Sequence, residues 1–174
     1  MKNIKVIVMD VDGVLTDGRI ILDDDGKEYK FFDVKDGHAI HLALDLGIKI
    51  AWVSGRYSKV TQKRAEQLKV DFVLQRQHNK LNSLQEIKKH FSCSEKNIAY
   101  IGDDLIDIPP MIVSAFSAST NDACDDVKKV SDYVSPYNGG RGAVRDILEY
   151  IFKKQNVWSK ILEKYMLLDE YADI

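Results

Sequence analysis

Residues 5–17 read KVIVMDVDGVLTD, and this stretch decides the predicted fold. Residues 6–9 are apolar, mostly β-branched and without polar alternation, which is typical of a strand buried on both faces of a parallel sheet. Asp10, Asp12 and Thr16 follow where this run stops. Ligand sites in open α/β sheets lie at the carboxyl ends of strands. The stretch therefore predicts a central strand that ends at a ligand site.

Asp10 and Asp12 are separated by one residue, so their negative charges repel unless a cation lies between them or one carboxylate takes a proton. Mg²⁺ prefers a few carboxylate oxygens, several waters and a substrate phosphate. The pair therefore indicates a metal and phosphate site. The alternative is an ordinary turn, because Asp-Gly after a strand is common in loops.

Length and composition favour one globular domain over residues 1–174. A chain of 174 residues has a formal net charge of −2, with positive and negative residues interspersed, unlike the basic surface of a nucleic-acid-binding protein. Its two cysteines do not make a disulfide framework or a zinc site. The sequence shows neither a signal-peptide pattern nor an apolar run of membrane-spanning length. We therefore expect a cytoplasmic protein that contacts neither nucleic acid nor membrane.

Residues 18–34 predict a β-hairpin inserted after the first strand. Two strand-like segments flank the sequence DDDGK, whose Asp-Gly is a strong hairpin-turn signal. An isolated two-stranded hairpin is only marginally stable in water. Its apolar side chains therefore need cover, either from the body of the domain or from another subunit.

A second core strand, residues 48–53, stops at Ser54, Gly55 and Arg56. A hydroxyl group and backbone N–H groups at such a position can hold a phosphate oxygen, although Ser54 could equally cap a helix. In the helix predicted over residues 59–68, Arg64 either covers its own helix or reaches a ligand.

Two further segments bring charged residues to strand ends. Lys80 begins a predicted helix, an unusual place for a cation because the helix N-terminus is already positive, unless the lysine faces carboxylates and a phosphate. A solvated surface lysine is the alternative. The strand predicted at residues 98–101 is followed by Asp103, Asp104 and Asp107, which repel one another unless a cation is present.

Strands alternating with helices predict an α/β fold, a doubly wound parallel sheet. The other strands are expected at residues 71–74, 115–118 and 133–134. The other helices are expected at residues 36–46, 80–91, 122–130, 143–150 and 158–168, with a short one ending near 113. Residues 139–174 would form a C-terminal loop and helical tail.

The motifs DVDGVLT, SGR, a lysine after a strand, and GDDLID resemble, in order and spacing, the four motifs of haloacid dehalogenase-superfamily phosphatases. The resemblance continues through GGRGAVR to a Trp-containing tail and so covers nearly the whole chain. Within the superfamily it is strongest to small capless phosphatases that act on an eight-carbon keto-sugar acid phosphate in lipopolysaccharide synthesis. It implies a Rossmann-like sheet without a separate cap domain and a Mg²⁺-dependent phosphatase.

The resemblance also implies roles for individual residues. Asp10 would be the nucleophile that forms an aspartyl-phosphate, Asp12 the general acid and base, and Lys80 a third catalytic residue. The metal ligands would be Asp10, Asp12 through its backbone carbonyl, and Asp103, supported by Asp104 and Asp107. The expected phosphate- and substrate-binding residues are Thr16, Asp36, Ser54, Gly55, Arg56, Arg64 and Arg141.

Substrate and assembly expectations come from the same resemblance. Capless relatives close the site in a homotetramer, with hairpins and C-terminal segments of adjoining subunits acting as a lid. Relatives that act on nine-carbon keto-sugar acid phosphates typically carry glutamate where Arg56 stands, so Arg56 favours the eight-carbon substrate. Arg76 stands where relatives often have glycine, and His78 where the residue is commonly small or polar.

Two other classes of protein share some of these features. A receiver-type phospho-acceptor also has an acidic cluster, a hydroxyl group and a lysine, but places its acidic pair and its phospho-acceptor on different strands. A non-catalytic phosphatase-like partner module is the other, although here every expected catalytic position is filled.

Overall fold

The computed structural model describes residues 3–165. The strands are β1 (Val6–Asp10), β2 (Ile21–Leu22), β3 (Glu28–Tyr29), β4 (Lys49–Val53), β5 (Phe72–Leu74), β6 (Ile98–Gly102), β7 (Phe116–Ser119) and β8 (Tyr133–Val134). The helices are α1 (Val34–Asp45), α2 (Lys59–Leu68), α3 (Lys80–Phe91), α4 (Ile108–Val113), α5 (Asp125–Val130), α6 (Ala143–Lys154) and α7 (Trp158–Lys164). Single 3₁₀ turns lie at Glu95–Asn97 and Leu105–Asp107.

A six-stranded sheet in the order β5-β4-β1-β6-β7-β8 forms the centre of the molecule, and its strand pairs are all parallel. Every residue of β1 is buried. Ile7 and Met9 pack into a core with α1, α2, α6 and α7, whereas Val6 and Val8 pack into a second core with α3, α4 and α5. Because successive side chains of a strand point to opposite faces, one apolar run supplies both cores. The predicted doubly wound fold is confirmed.

β2 and β3 pair antiparallel as a short ribbon between β1 and α1. The ribbon leaves large apolar side chains in solvent, with Ile20 and Leu22 each 59% exposed and Phe31 63% exposed. No separate cap domain is present within residues 3–165. In the same part of the chain, none of the helices combines the length and apolar character needed to cross a membrane.

Several element boundaries differ from the sequence-based expectation. α1 begins earlier, at Val34, because the Asp33 carboxylate accepts hydrogen bonds from backbone N–H groups of the first turn. α5 begins only at Asp125, and α6 continues past residue 150 to Lys154. Of the helix predicted at residues 158–168, α7 covers the part up to residue 164, and residues 166–168 lie outside the described part of the chain.

Asp36 joins the first turns of α1 and α6. Its buried carboxylate accepts hydrogen bonds from the backbone N–H of Arg145 at 2.7 Å and of Gly142 at 3.4 Å. These donors belong to the start of α6, where backbone N–H groups lack partners within the helix. Burial raises the pKa of Asp36 from 3.8 to about 6, although the Arg145 N–H opposes the shift.

The raised pKa of Asp36 predicts a pH dependence of stability. The folded state keeps a proton that the unfolded chain releases between pH 3.8 and about 6, so stability from this group falls as pH rises through that window. The loss amounts to roughly 2–3 kcal/mol. Asp36→Asn cannot ionise, so urea unfolding should show a shallower fall in the free energy of unfolding between pH 4 and 6.5 than in the wild type. Parallel curves for the two proteins would contradict the assignment.

Candidate active site

Lys80 lies between two carboxylates at the carboxyl edge of the sheet. Its Nζ is 2.7 Å from Asp10 Oδ1 and 2.7 Å from Asp107 Oδ1, and its side chain is only 2% exposed. Asn79 caps α3 by accepting a hydrogen bond from the backbone N–H of Asn82, which fixes the start of the helix beside the end of β1. The pairing with carboxylates explains how a lysine can be buried here.

Asp107 supports this arrangement from behind. Its fully buried carboxylate also accepts hydrogen bonds from Tyr100 Oη at 3.0 Å and from the backbone N–H groups of Asp103 and Asp104 at 3.2 and 3.3 Å. A Cβ on Gly102 would lie 2.4 Å from Asp107 Cβ, so only glycine leaves room for this contact. Asp107 therefore sets the positions of both Lys80 and the acidic loop.

Asp10, Asp103 and Asp107 form a carboxylate cluster in which one oxygen from each lies within 4.8 Å of the others. Asp103 Oδ1 is buried and has no hydrogen-bond partner among the described residues. Burial and the neighbouring Asp10 charge raise the pKa of Asp103 to about 9. Burial raises the pKa of Asp10 to about 6 against the opposing charge of Lys80. Converging oxygen donors that resist carrying their charges alone fit a hard divalent cation such as Mg²⁺.

The absence of a side chain at Gly13 leaves room for the Asp103 carboxylate. The φ of Gly13 is +103°, and an added Cβ would lie 2.0 Å from Asp103 Oδ2. The loop after β1 is in turn covered by residues 139–140, where a Cβ on Gly139 would lie 1.8 Å from the Gly13 carbonyl oxygen. The glycine-rich segment thus packs directly on the loop that carries Asp12.

Asp12 lies outside the cluster and has different partners. Its Oδ1 forms an ion pair with Lys30, and its Oδ2 accepts a hydrogen bond from Ser54 Oγ at 3.3 Å. Ser54 Oγ also accepts from the backbone N–H of Arg56 at 3.2 Å. The turn through Gly55 at the end of β4 therefore brings the Ser54 hydroxyl group to the Asp12 carboxylate, and its binding of a phosphate oxygen stays a prediction.

Lys30 was not among the predicted site residues. It follows β3 directly, and a lysine in a hairpin gives no local sign of burial. Its contact with Asp12 joins residues 18 positions apart, which the local sequence does not indicate. Glu28 forms an ion pair with Arg56 at 2.9 Å, so Glu28 and Lys30 both reach the loops around the site.

Other predicted site residues make contacts of a different kind. Thr16 is buried, and its Oγ1 accepts hydrogen bonds from the backbone N–H groups of Gly13 at 3.4 Å and Gly18 at 3.3 Å. The Asp36 carboxylate is bonded to the start of α6, and substrate contact by Thr16 and Asp36 stays a prediction. Asp104 caps the following 3₁₀ turn through the backbone N–H of Leu105.

The arginines differ from one another. Arg64 reaches beyond its own helix, with its Cζ 5.8 Å from the centre of the Phe32 ring and its Nη2 2.6 Å from where a Cβ at Gly37 would lie. Arg141 is mostly exposed and lies 3.6 Å from Asp17 Oδ2 at the rim. Of the three predicted arginines, Arg56 and Arg141 are thus the ones that a ligand entering from solvent would meet.

Arg76 has a φ of +62°, a left-handed conformation that glycine adopts more readily than arginine. Its guanidinium lies 4.9 Å from the centre of the Tyr57 ring, a cation–π contact that offsets part of the backbone strain. Arg76 and His78 are both exposed.

Comparison with known proteins places this geometry in a family. A model of haloacid dehalogenase-like hydrolases matches residues 72–148. The 3-deoxy-D-manno-octulosonate 8-phosphate phosphatase of Escherichia coli strain K12 is 38% identical over 154 residues, which are 88% of this chain and 82% of that protein. The chain belongs to this phosphatase family.

Two solved structures show how far the similarity extends across the family. The phosphatase from Moraxella catarrhalis, solved in complex with a magnesium ion, a phosphate ion and a KDO molecule, has a TM-score of 0.92 and 37% identity over 94% of each chain. The Yersinia pestis phosphatase has a TM-score of 0.88 and 36% identity, covering 91% of this chain and 85% of that chain. The resemblance stated from the motifs is confirmed.

The acidic cluster predicts opposite effects of Asp103→Asn on the metal-free and metal-loaded protein. With EDTA, Asp103→Asn should be at least as stable as the wild type at pH 7.5, because it removes a carboxylate whose ionisation the fold opposes. Mg²⁺ at a concentration of 100 times its Kd should stabilise the wild type by about 2.7 kcal/mol and the variant far less. Thermal unfolding with EDTA or Mg²⁺ measures both effects.

Asp24→Asn in the exposed hairpin turn is the matched control and should respond to Mg²⁺ as the wild type does. An undiminished Mg²⁺-dependent rise in Tm for Asp103→Asn would remove Asp103 from the metal site.

Proposed function

We propose that this chain hydrolyses 3-deoxy-D-manno-octulosonate 8-phosphate with Mg²⁺, through an aspartyl-phosphate, in lipopolysaccharide sugar synthesis. The observation that carries the proposal is that Asp10 and Asp12 leave the same strand end into different surroundings. Asp10 lies in the carboxylate cluster beside Lys80, whereas Asp12 is held outside it by Lys30 and Ser54. Two carboxylates in unlike environments can divide nucleophile and acid–base roles.

In the first step, an Asp10 oxygen attacks phosphorus, the bond to the sugar oxygen breaks, and Asp12 gives its proton to the departing alkoxide. In the second step, Asp12 takes a proton from a water molecule, which attacks phosphorus and releases phosphate from Asp10. Lys80 and Ser54 would hold phosphoryl oxygens, with Lys80 also orienting Asp10. The side chains thus supply the nucleophile, the proton and its acceptor.

Asp10, Asp103 and the backbone carbonyl of Asp12 would hold Mg²⁺, with Asp107 fixing Lys80 and the acidic loop. When bound, Mg²⁺ neutralises negative charge on the phosphoryl group and the surrounding carboxylates. Its fit rests on the unpartnered Asp103 oxygen and on the clustering of carboxylates around it.

Arg56 and Arg141 are our candidates for recognising the carboxylate of the sugar acid. An arginine fork suits a carboxylate because it donates two parallel hydrogen bonds. In this structure Arg56 Nη2 lies 2.9 Å from Glu28 Oε1, so a substrate carboxylate would compete with Glu28 for the same guanidinium group. Arginine at this position supports the eight-carbon substrate over a nine-carbon one.

A phosphate-release assay tests this function. With Mg²⁺, the wild type should hydrolyse the eight-carbon keto-sugar acid 8-phosphate with a higher kcat/KM than a nine-carbon 9-phosphate or an aryl phosphate, and EDTA should stop the reaction. Asp10→Asn keeps the side chain's size but removes the attacking charge. It should therefore retain less than about one per cent of kcat, which corresponds to a rise of about 2.7 kcal/mol in the activation barrier. Retention of more activity would rule out the covalent route.

We also propose that the enzyme is a cytoplasmic homotetramer in which subunits complete one another's sites. The hairpin's exposed apolar side chains support the proposal, since burial could supply about 1.5–3 kcal/mol for each large one. A closed symmetric assembly would also protect the short strand edges of the ribbon.

Ile20→Glu combined with Phe31→Glu should dissociate the oligomer, because burying the new charges at an interface is costly. The double variant should raise KM for the keto-sugar acid phosphate far more than for a small aryl phosphate, which needs only the monomeric site. Sedimentation and steady-state kinetics measure the two effects. Ile112→Glu, at a 64% exposed apolar position on α4, serves as the control. A monomeric double variant with normal KM for the keto-sugar acid phosphate would show that the lid comes from within one chain.

A further inference from the structure

Lys30 is the cation of the site that neither the motifs nor the proposed reaction accounts for. Its side chain is 2% exposed, and its ammonium group pairs with Asp12 Oδ1. Burying a lysine side chain costs about 1.5–2 kcal/mol in conformational entropy, and lysines are rarely fully buried unless they are paired with an opposite charge. Asp12 is that partner, contributed by a segment of chain separate from the hairpin.

The conformation of the hairpin places Lys30 against the body of the domain. β3 covers Glu28 and Tyr29, and Lys30 and Phe31 follow it directly. Glu28 pairs with Arg56 and Lys30 with Asp12, whereas Tyr29 is 42% exposed and Phe31 63% exposed. Glu28 and Lys30 thus contact the loops after β4 and β1.

We propose that Lys30 is a positioning residue for Asp12, an inference that rests on the proposed function. Lys30 pairs with Oδ1 of Asp12, and Ser54 donates its single hydroxyl proton to Oδ2. Because Ser54 must turn that proton to a phosphoryl oxygen when substrate binds, Lys30 is the partner that Asp12 keeps. A carboxyl group that gives a proton to the leaving group and then takes one from water must keep one orientation through both steps. The hairpin supplies that constraint through Lys30, so the docking of the hairpin is linked to proton transfer by Asp12.

A double-mutant cycle with Asp12 tests the proposal. Lys30→Met keeps much of the stem and removes the charge, and it should lower kcat for the keto-sugar acid phosphate about 10–100-fold, the scale expected from misplacing a catalytic group. KM should change less than about threefold, because the binding groups remain. In an Asp12→Asn background, Lys30→Met should change the residual kcat for the same keto-sugar acid phosphate by less than about twofold.

The two chemical steps give a second readout, one that a general loss of structure would not reproduce. An aryl oxide leaves without much help from an acid, so Lys30→Met should form the phosphoenzyme at nearly the wild-type rate and hydrolyse it slowly. Rapid acid quench should therefore show accumulated phosphoenzyme. Lys30→Arg keeps the charge and should recover part of kcat, whereas Lys27→Met, at an exposed position on the same hairpin, should behave as the wild type. Melting temperature and sedimentation of each variant identify any that unfold or dissociate.

An additive cycle would overturn the proposal, as would a raised KM with unchanged kcat, which would make Lys30 a substrate-binding residue instead. Failure of the proposed function looks different, because the wild type would then release no phosphate from the sugar phosphate, or Asp12→Asn would be as active as the wild type. Both the proposed function and the role of Lys30 are supported if the wild type is active, Asp12→Asn is impaired, and the effects of Lys30→Met and Asp12→Asn are not additive.

Discussion

Lys80 binds two buried carboxylates at once, and the rest of the site depends on this contact. Without the ammonium group, Asp10 and Asp107 would be left close together and unpaired in a largely dry environment, which typically costs about 3–5 kcal/mol. The start of α3 places the lysine, and Tyr100 with two backbone N–H groups places Asp107. Gly102 and Gly13 then allow the acidic loop and the loop after β1 to approach this pair.

A second cation gives the two aspartates at the carboxyl end of β1 different surroundings. Asp10 belongs to a crowded acidic cluster, whereas Asp12 is held by the hairpin's Lys30 and by Ser54. The fold provides a shared strand end, and segments distant in sequence provide the differing environments. The arrangement differs from that of a receiver-type phospho-acceptor, because Asp10 and Asp12 both lie at the carboxyl end of one strand.

Local pattern and sheet topology were enough to predict the fold and the strand-end residues of the site. Apolar runs ending in polar residues marked Asp10, Ser54 and Asp103, a cation at the start of a helix marked Lys80, and parallel strands bring their carboxyl ends to one edge. Contacts between distant segments could not be predicted in this way. Burial of Lys30 against Asp12, the bond of Asp36 to the start of α6, and the pairing of Arg56 with Glu28 each join residues far apart in sequence, and no local periodicity encodes such a pair.

The central claim is that Asp10, and no other carboxylate of the cluster, takes the phosphoryl group. Asp12→Asn should be incubated with Mg²⁺ and an aryl phosphate, quenched in acid and reduced with borohydride, which converts an acyl phosphate of aspartate into homoserine. Peptide mass spectrometry should then find homoserine at position 10 and aspartate at positions 103 and 107. Homoserine at either of the other positions, or none despite a burst of aryl alcohol, would contradict the account.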